Sequence, residues 1–98
     1  MNSNTQELAL IVGGSTGMGQ ETAKRLLQRG VEVILLSRSK NKLEKAKAEL
    51  GSYGTVQTIA SDLYDQNQTD SFIDRIKSEK RHIKYLVNSA GLSIQKRF

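Results

Sequence analysis

The 98-residue sequence contains no cysteine, no proline, no tryptophan and only one histidine. The lack of cysteine excludes disulfides, thiol nucleophiles and cysteine-based zinc sites, and one histidine cannot form a histidine cluster around a metal. The apolar run near the start, Leu8 to Val12, is far shorter than the apolar region of a signal peptide or a membrane span. We therefore expect a soluble, cytoplasmic protein that binds neither a metal nor a membrane.

Hydrophobic residues make up 37% of the chain and charged residues 26%, which is typical of one globular domain. The net charge of +5 is also found among nucleic-acid-binding proteins. The lysine-rich segment 40–50, however, carries Leu43, Ala46 and Leu50 at helical spacing, which places most of its lysines on the solvated face of a helix. No aromatic residues interleave these lysines, so nucleic-acid binding is not expected.

Four apolar or β-prone stretches alternate with helical patterns. Strands are predicted near Leu8 to Val12, Glu32 to Ser37, Thr55 to Ala60 and Lys84 to Asn88. A first helix is predicted from Met18 to Gly30, which terminates it. A second, lysine-rich helix is predicted after the cap Ser37-Arg38-Ser39, and a third from Asp65 to about Lys80. The apolar face of the first helix is predicted to contain Met18, Thr22, Ala23, Leu26 and Leu27. This alternation predicts an α/β fold, a parallel sheet with right-handed crossovers.

A glycine-rich loop, Gly13-Gly14-Ser15-Thr16-Gly17-Met18-Gly19, joins the first strand to the first helix. Glycine permits positive φ angles and a close approach of the backbone to phosphate, and a helix N-terminus offers free N–H groups. The loop therefore predicts an anion site. The nucleoside-triphosphate loop G-x-x-x-x-G-K-[ST] is disfavoured, because Gln20 and Glu21 stand where the lysine and the hydroxyl belong.

Three motifs in this order resemble the short-chain dehydrogenase/reductase family: the loop after Val12, Asp62-Leu63, and Asn88-Ser89-Ala90-Gly91. The resemblance implies a Rossmann-like, doubly wound parallel sheet, here partial with about four strands in the order 3-2-1-4. It also implies that the loop binds the cofactor pyrophosphate, that Asp62 accepts a hydrogen bond from the adenine amino group, and that the last motif lines the adenosine ribose. The implied cofactor-binding residues in these motifs are Gly13, Ser15, Thr16, Gly17, Met18, Gly19, Asp62, Leu63, Asn88, Ala90 and Gly91. Val12 and Ser89 depart from the family pattern, which has threonine and asparagine there.

The end of the second strand indicates which dinucleotide is bound. An acidic residue about 20 positions after the loop would hold the 2′-hydroxyl of NAD. Ser37 and Arg38 stand there instead. A guanidinium forms bidentate hydrogen bonds with phosphate, so Arg38 is predicted to bind the 2′-phosphate of NADP. NADP is the predicted cofactor and NAD the alternative; in the competing interpretation Arg38 is an ordinary surface residue beside a helix start.

Family catalysis requires a serine and a Tyr-x-x-x-Lys pair, and none of the three tyrosines is followed by lysine four positions later. We therefore expect no catalytic residue in this chain. Residues 1–98 are predicted to form the N-terminal part of a single NAD(P)-binding domain from an NADP(H)-dependent oxidoreductase. Two alternatives stay open: a non-catalytic nucleotide-binding module, and a structural remnant that forms homo-oligomers through the exposed edge of its fourth strand.

Overall fold

The computed structural model describes residues 7–13, 17–62, 65–78 and 83–88. Its elements are β1 (Leu8–Val12), α1 (Gly17–Gln28), β2 (Glu32–Ser37), α2 (Lys40–Leu50), β3 (Val56–Ala60), α3 (Gln66–Lys77) and β4 (Ile83–Asn88). The strands are parallel and lie in the order β3-β2-β1-β4. The predicted fold class and strand order are confirmed. β3 begins one residue later and β4 one residue earlier than predicted.

The two central strands are apolar because helices cover both faces of the sheet. All five residues of β1 are buried, and alternate residues enter opposite clusters. Ala9 and Ile11 pack on one face with α1 and α2. On the other face, the remaining residues of β1 pack with α3. These residues are Leu8, Leu10 and Val12, and their partners in α3 are Phe72, Ile73 and Ile76. Continuous apolar runs are typical of strands buried on both faces, so the burial explains the sequence pattern.

Local hydrogen bonds cap the C-terminus of α1 and the N-terminus of α2 at the residues that the sequence predicts. Gly30 has a φ of 85°, and its N–H donates to the Leu27 carbonyl oxygen at 3.0 Å. The Val31 N–H donates to the Leu26 oxygen at 3.1 Å, which completes a Schellman cap. The predicted role of Gly30 as the terminator of α1 is therefore confirmed. Ser39 is the N-cap of α2, also as predicted.

The prediction that Met18 lies on the buried face of α1 is wrong, because its side chain is 80% exposed. The buried residues of α1 are Gly19, Ala23, Leu26 and Leu27. Gly19, one position further along the helix, is buried in the first turn instead. The lysines of α2 are exposed, and the predicted apolar residues Leu43, Ala46 and Leu50 are buried.

The amino ends of the strands are closed by internal polar pairs. Lys84 pairs with the Glu7 carboxylate, and this hydrogen bond and charge raise the pKa of the Lys84 ammonium. Glu32 is only 5% exposed, and its carboxylate accepts a hydrogen bond from Gln57 Nε2. These contacts pair the Lys84, Glu7 and Glu32 side chains within the chain.

Candidate functional site

The carboxyl ends of the strands meet at one edge of the sheet. Val12, the last residue of β1, lies opposite Leu36 of β2 on one side and Asn88 of β4 on the other. The chain runs from β1 to β2 and β3 on one side of β1. After β3 it crosses to β4 on the other side of β1. Ligands of open α/β sheets bind in the crevice that such a reversal creates. This edge is the candidate site.

Gly13 turns the chain away from β1 at the centre of this edge. Its φ is 79°, a left-handed conformation that glycine adopts without strain. Its N–H donates to the Leu36 carbonyl oxygen at 2.7 Å, which ties the start of the loop to β2. The glycine predicted here is therefore required by the backbone. Gly14, Ser15 and Thr16 lie outside the described residues, so the predicted phosphate contacts of Ser15 and Thr16 stay predictions.

The N-terminus of α1 is open to solvent at Gly17. Its φ lies outside the left-handed region, and within the described chain no non-neighbouring atom comes within 4 Å of where a Cβ would stand. Neither backbone strain nor packing therefore requires glycine there. The first turn contains no acidic residue, and the first N–H groups of a helix have no partner within it. The open space and the positive helix end suit an anionic group.

Arg38 follows β2 at the same edge. Its side chain is exposed, and within the described ranges it pairs with no carboxylate. The flanking serines hold the backbone: Ser37 Oγ accepts from the Ser39 N–H at 3.4 Å, and Ser39 Oγ accepts from the Lys42 N–H at 3.3 Å. The first turn of α2 contains no acidic residue either. The guanidinium is available to an external anion.

Asp62 lies beside this arginine segment, because the Ser61 N–H donates to the Ser37 carbonyl oxygen at 2.9 Å. Its own N–H donates to Gln68 Oε1 at 2.8 Å, and its carbonyl oxygen accepts from the Asp65 N–H at 3.0 Å. The N-cap of α3 is Asp65, so the Asp62 side chain does not cap this helix. The Asp62 backbone is held in place from both sides, and its side chain is half-buried.

Gln68 is the positioning residue that the sequence interpretation missed. Its Oε1 holds the Asp62 N–H, its Nε2 donates to Asp65 Oδ2 at 3.3 Å, and its carbonyl oxygen accepts from Ser61 Oγ at 3.3 Å. A signal was present in the sequence. Asp65-x-x-Gln68 has the spacing of a capping box, in which an N-cap residue and a residue three positions later bond reciprocally.

Asn88 ends β4 at the same edge and is exposed. Leu63, Ala90 and Gly91 lie outside the described residues. The structure thus gathers Gly13, the first turn of α1, the Ser37-Arg38 pair, Asp62 and Asn88 along the carboxyl ends of four strands. The ligand contacts predicted for these residues stay predictions.

Beside this edge, a groove of about 340 Å³ lies between the end of β3 and α3. Its lining residues, which the sequence interpretation did not single out, are Ile59, Ala60, Ser61, Asn67, Gln68, Ser71, Phe72 and Arg75. Among the residues the structure describes, no cluster of histidine and acidic side chains can hold a metal ion. None of the described helices is long and apolar enough to span a membrane.

A parallel sheet in this order, with helices on both faces and a glycine turn at the reversal point, defines a Rossmann-type α/β protein. The sequence model of the short chain dehydrogenase family matches residues 7–98. The chain therefore belongs to the short-chain dehydrogenase family.

Similar proteins include the oxidoreductase DltE of Bacillus subtilis, which is 40% identical over 88 residues, 90% of this chain and 34% of that protein. A fatty acyl-CoA reductase of Acinetobacter baylyi is 36% identical over 91 residues, 92% of this chain and 31% of the relative. The chain thus spans about a third of the length of the curated relatives it matches.

Among solved structures, a metagenomic short-chain oxidoreductase in complex with NADP superposes with a TM-score of 0.79 at 28% identity, covering 88% of this chain and 39% of that one. The actinorhodin polyketide ketoreductase with NADPH has a TM-score of 0.81 at 26% identity, covering 94% of this chain and 36% of the other.

Proposed function

We propose that this chain is the dinucleotide-binding part of an NADP(H)-dependent oxidoreductase of the short-chain dehydrogenase family. The observation that carries the proposal is the presence, at one sheet edge, of an open helix N-terminus at Gly17 and of the Arg38 guanidinium, which pairs with no carboxylate among the described residues. A dinucleotide with a 2′-phosphate has two separate anionic groups, and the site offers a separate cationic element for each.

Each element of the site has a distinct part in binding. The first-turn N–H groups of α1 donate to the pyrophosphate, and Gly17 leaves room for its oxygens. Arg38 binds the 2′-phosphate, and the Asp62 carboxylate accepts from the adenine amino group. Asn88, with Ala90 and Gly91, lines the ribose. When bound, the dinucleotide supplies a hydride-transfer centre, while these residues supply affinity and orientation.

The preference for NADP rests on charge at the end of β2. An acidic residue there would favour the ribose diol of NAD, whereas Ser37 and Arg38 provide a neutral and a cationic side chain. Two of the similar solved structures contain NADP or NADPH, which supports the same preference.

Titration of the protein with NADPH and with NADH tests the proposal. Because the sequence contains no tryptophan, nicotinamide emission is read without tryptophan background. At low salt NADPH is expected to bind more tightly than NADH, and added salt is expected to narrow the difference because the extra contact is ionic. Equal affinities at low salt would contradict the proposed preference, and no binding of either nucleotide would contradict the proposed function.

We propose further that the 98-residue chain, prepared alone, binds the dinucleotide without turning over a carbonyl substrate. None of its tyrosines begins a Tyr-x-x-x-Lys pair, which family catalysis uses for proton transfer. Binding without turnover would support the proposal that this chain binds the dinucleotide and does not catalyse the reaction by itself. Turnover by the purified chain would show that other residues transfer the proton.

We also infer that the chain prepared alone associates through β4. On the outer side of β4 no described strand pairs with it, and Leu86 is 48% exposed on this strand. Tyr85 and Val87 are only partly buried against the core. Unpaired strand edges with apolar side chains template pairing with another chain.

Light scattering at increasing protein concentration is expected to show dimers or larger species. Leu86→Lys should shift the population toward monomer, because it places a charge where apolar surface is buried on association. Ala48→Lys, an added charge on the exposed face of α2, is the matched control and should associate like the parent. A parent chain that stays monomeric at high concentration would contradict this inference.

A further inference from the structure

Met18 is the most exposed large apolar side chain in the part of the chain that the structure describes, at 80%. It stands in the first turn of α1, between Gly17 and Gly19, where the pyrophosphate is proposed to bind. The other exposed large apolar side chains, Leu86 at 48% and Tyr53 at 39%, are far less accessible. A thioether this accessible is open to oxidants in solution.

We infer that Met18 is an oxidation site that controls the dinucleotide site: peroxide converts its thioether to a sulfoxide, which weakens NADPH binding, and bound dinucleotide shields the sulfur. The expected oxidation of Met18 depends only on the exposure of its side chain. The effect on binding rests on the proposed function.

The oxidation is a two-electron oxygen transfer, with hydrogen peroxide as the oxidant. The Met18 sulfur donates an electron pair to one peroxide oxygen, and the S–O bond forms as the O–O bond breaks. The proton on the transferred oxygen passes to the departing hydroxide, which leaves as water. Sulfur is oxidised to the sulfoxide and peroxide is reduced to water.

The sulfoxide changes the helix end without disturbing the core. Met18 does not belong to either buried cluster, so its oxidation removes no packing between α1 and the sheet. It adds an oxygen with partial negative charge beside the first-turn N–H groups. That oxygen accepts from the same N–H donors that phosphate uses, because a helix N-terminus attracts negative charge, and it repels the phosphate oxygens.

The composition makes this effect separable from other oxidations. The chain has no cysteine and no tryptophan, and its only other methionine is Met1. Mild peroxide therefore modifies Met18 and Met1, and fragment-ion mass spectrometry of the N-terminal peptide distinguishes the two. Met1 provides an internal reference for the reactivity of a methionine in the same sample.

The first measurement is the rate of sulfoxide formation in the folded chain, in the chain unfolded with urea, and in the folded chain saturated with NADP⁺, which peroxide does not oxidise. Met18 is expected to react within about threefold of its unfolded rate, because it is already exposed. With NADP⁺ bound, its rate should fall about tenfold relative to that of Met1. Slow oxidation of Met18 in the folded chain, or no protection by NADP⁺, would overturn the inference.

The second measurement is the NADPH dissociation constant before and after peroxide treatment, with the oxidant removed by desalting. For the parent chain it is expected to rise about fivefold or more. For Met18→Leu, the NADPH dissociation constant is also measured before and after peroxide treatment. It should not change, although Met1 is still oxidised. An equal loss in both proteins, or no loss in the parent, would overturn the inference.

The two proposals fail in different ways. If the untreated chain binds neither nucleotide, the proposed function fails, whereas rapid oxidation of Met18 would still be observed. If NADPH binds normally and peroxide does not weaken it, the proposed function stands and the control by Met18 is wrong.

Discussion

Arg38→Gln is expected to raise the dissociation constant of NADPH about tenfold or more and to leave that of NADH nearly unchanged. A charge-assisted hydrogen bond contributes about 1.5–3 kcal/mol, and about 1.4 kcal/mol corresponds to a factor of ten. The effect is confined to NADPH because only that nucleotide carries the 2′-phosphate. Nucleotide titration at low salt measures both constants.

The full contribution is expected because no described carboxylate competes for the guanidinium. Arg38 is exposed, and across the described ranges no carboxylate neutralises it. The first turn of α2 adds no acidic residue either. An arginine already held by a carboxylate would first have to give up that partner, and its measured effect would be smaller.

Arg29→Gln is the matched control. Arg29 is exposed at the end of α1, near the amino edge of the sheet, so the variant removes the same charge from the opposite side of the molecule. It should change neither nucleotide's affinity beyond a small, salt-sensitive loss. A similar loss from both variants would indicate that net charge, and not a 2′-phosphate contact, holds NADPH.

Gly17→Ala is expected to weaken NADPH and NADH alike, about tenfold or more, without destabilising the fold. The added methyl group occupies the open space above the first turn of α1, where a phosphate oxygen is proposed to meet a backbone N–H. Loss of one hydrogen bond to a charged group accounts for this magnitude. The alanine meets no described atom within 4 Å and has the higher helix propensity, so the free energy of unfolding should be unchanged or slightly higher.

Gly30→Ala is expected to lower stability and leave nucleotide binding unchanged, which is the reverse of the result expected for Gly17→Ala. Gly30 has a φ of 85°, where a Cβ costs roughly 1–2 kcal/mol, and it lies at the far end of α1 from the site. Chemical denaturation should show a loss of stability, and the folded variant should bind both nucleotides like the parent. If Gly17→Ala destabilised the chain as much as Gly30→Ala while the nucleotides still bound, the glycine at 17 would have a structural role.

The sequence by itself determined the features that depend on neighbours along the chain. The apolar run from Leu8 to Val12 is continuous because β1 is covered on both faces, and that pattern is visible before any fold is known. Gly30 and Ser39 end and begin helices through bonds to residues within a few positions, and Gly13 turns the chain directly after a strand. These local rules, together with the alternation of strand and helix patterns, were enough for the parallel α/β class, while the strand order came from the resemblance of the motifs to the family.

Only the tertiary structure decided which side chains of the site are covered, paired or held. The periodicity of α1 placed Met18 on the buried face, yet Gly19 is the buried residue of the first turn and Met18 is exposed. The Ser61 N–H reaches the Ser37 carbonyl oxygen only because β3 packs beside β2, and this contact places the segment that contains Asp62 next to the end of β2. Burial and pairing of this kind depend on contacts between residues that are far apart in the chain, and residue spacing carries no information about them.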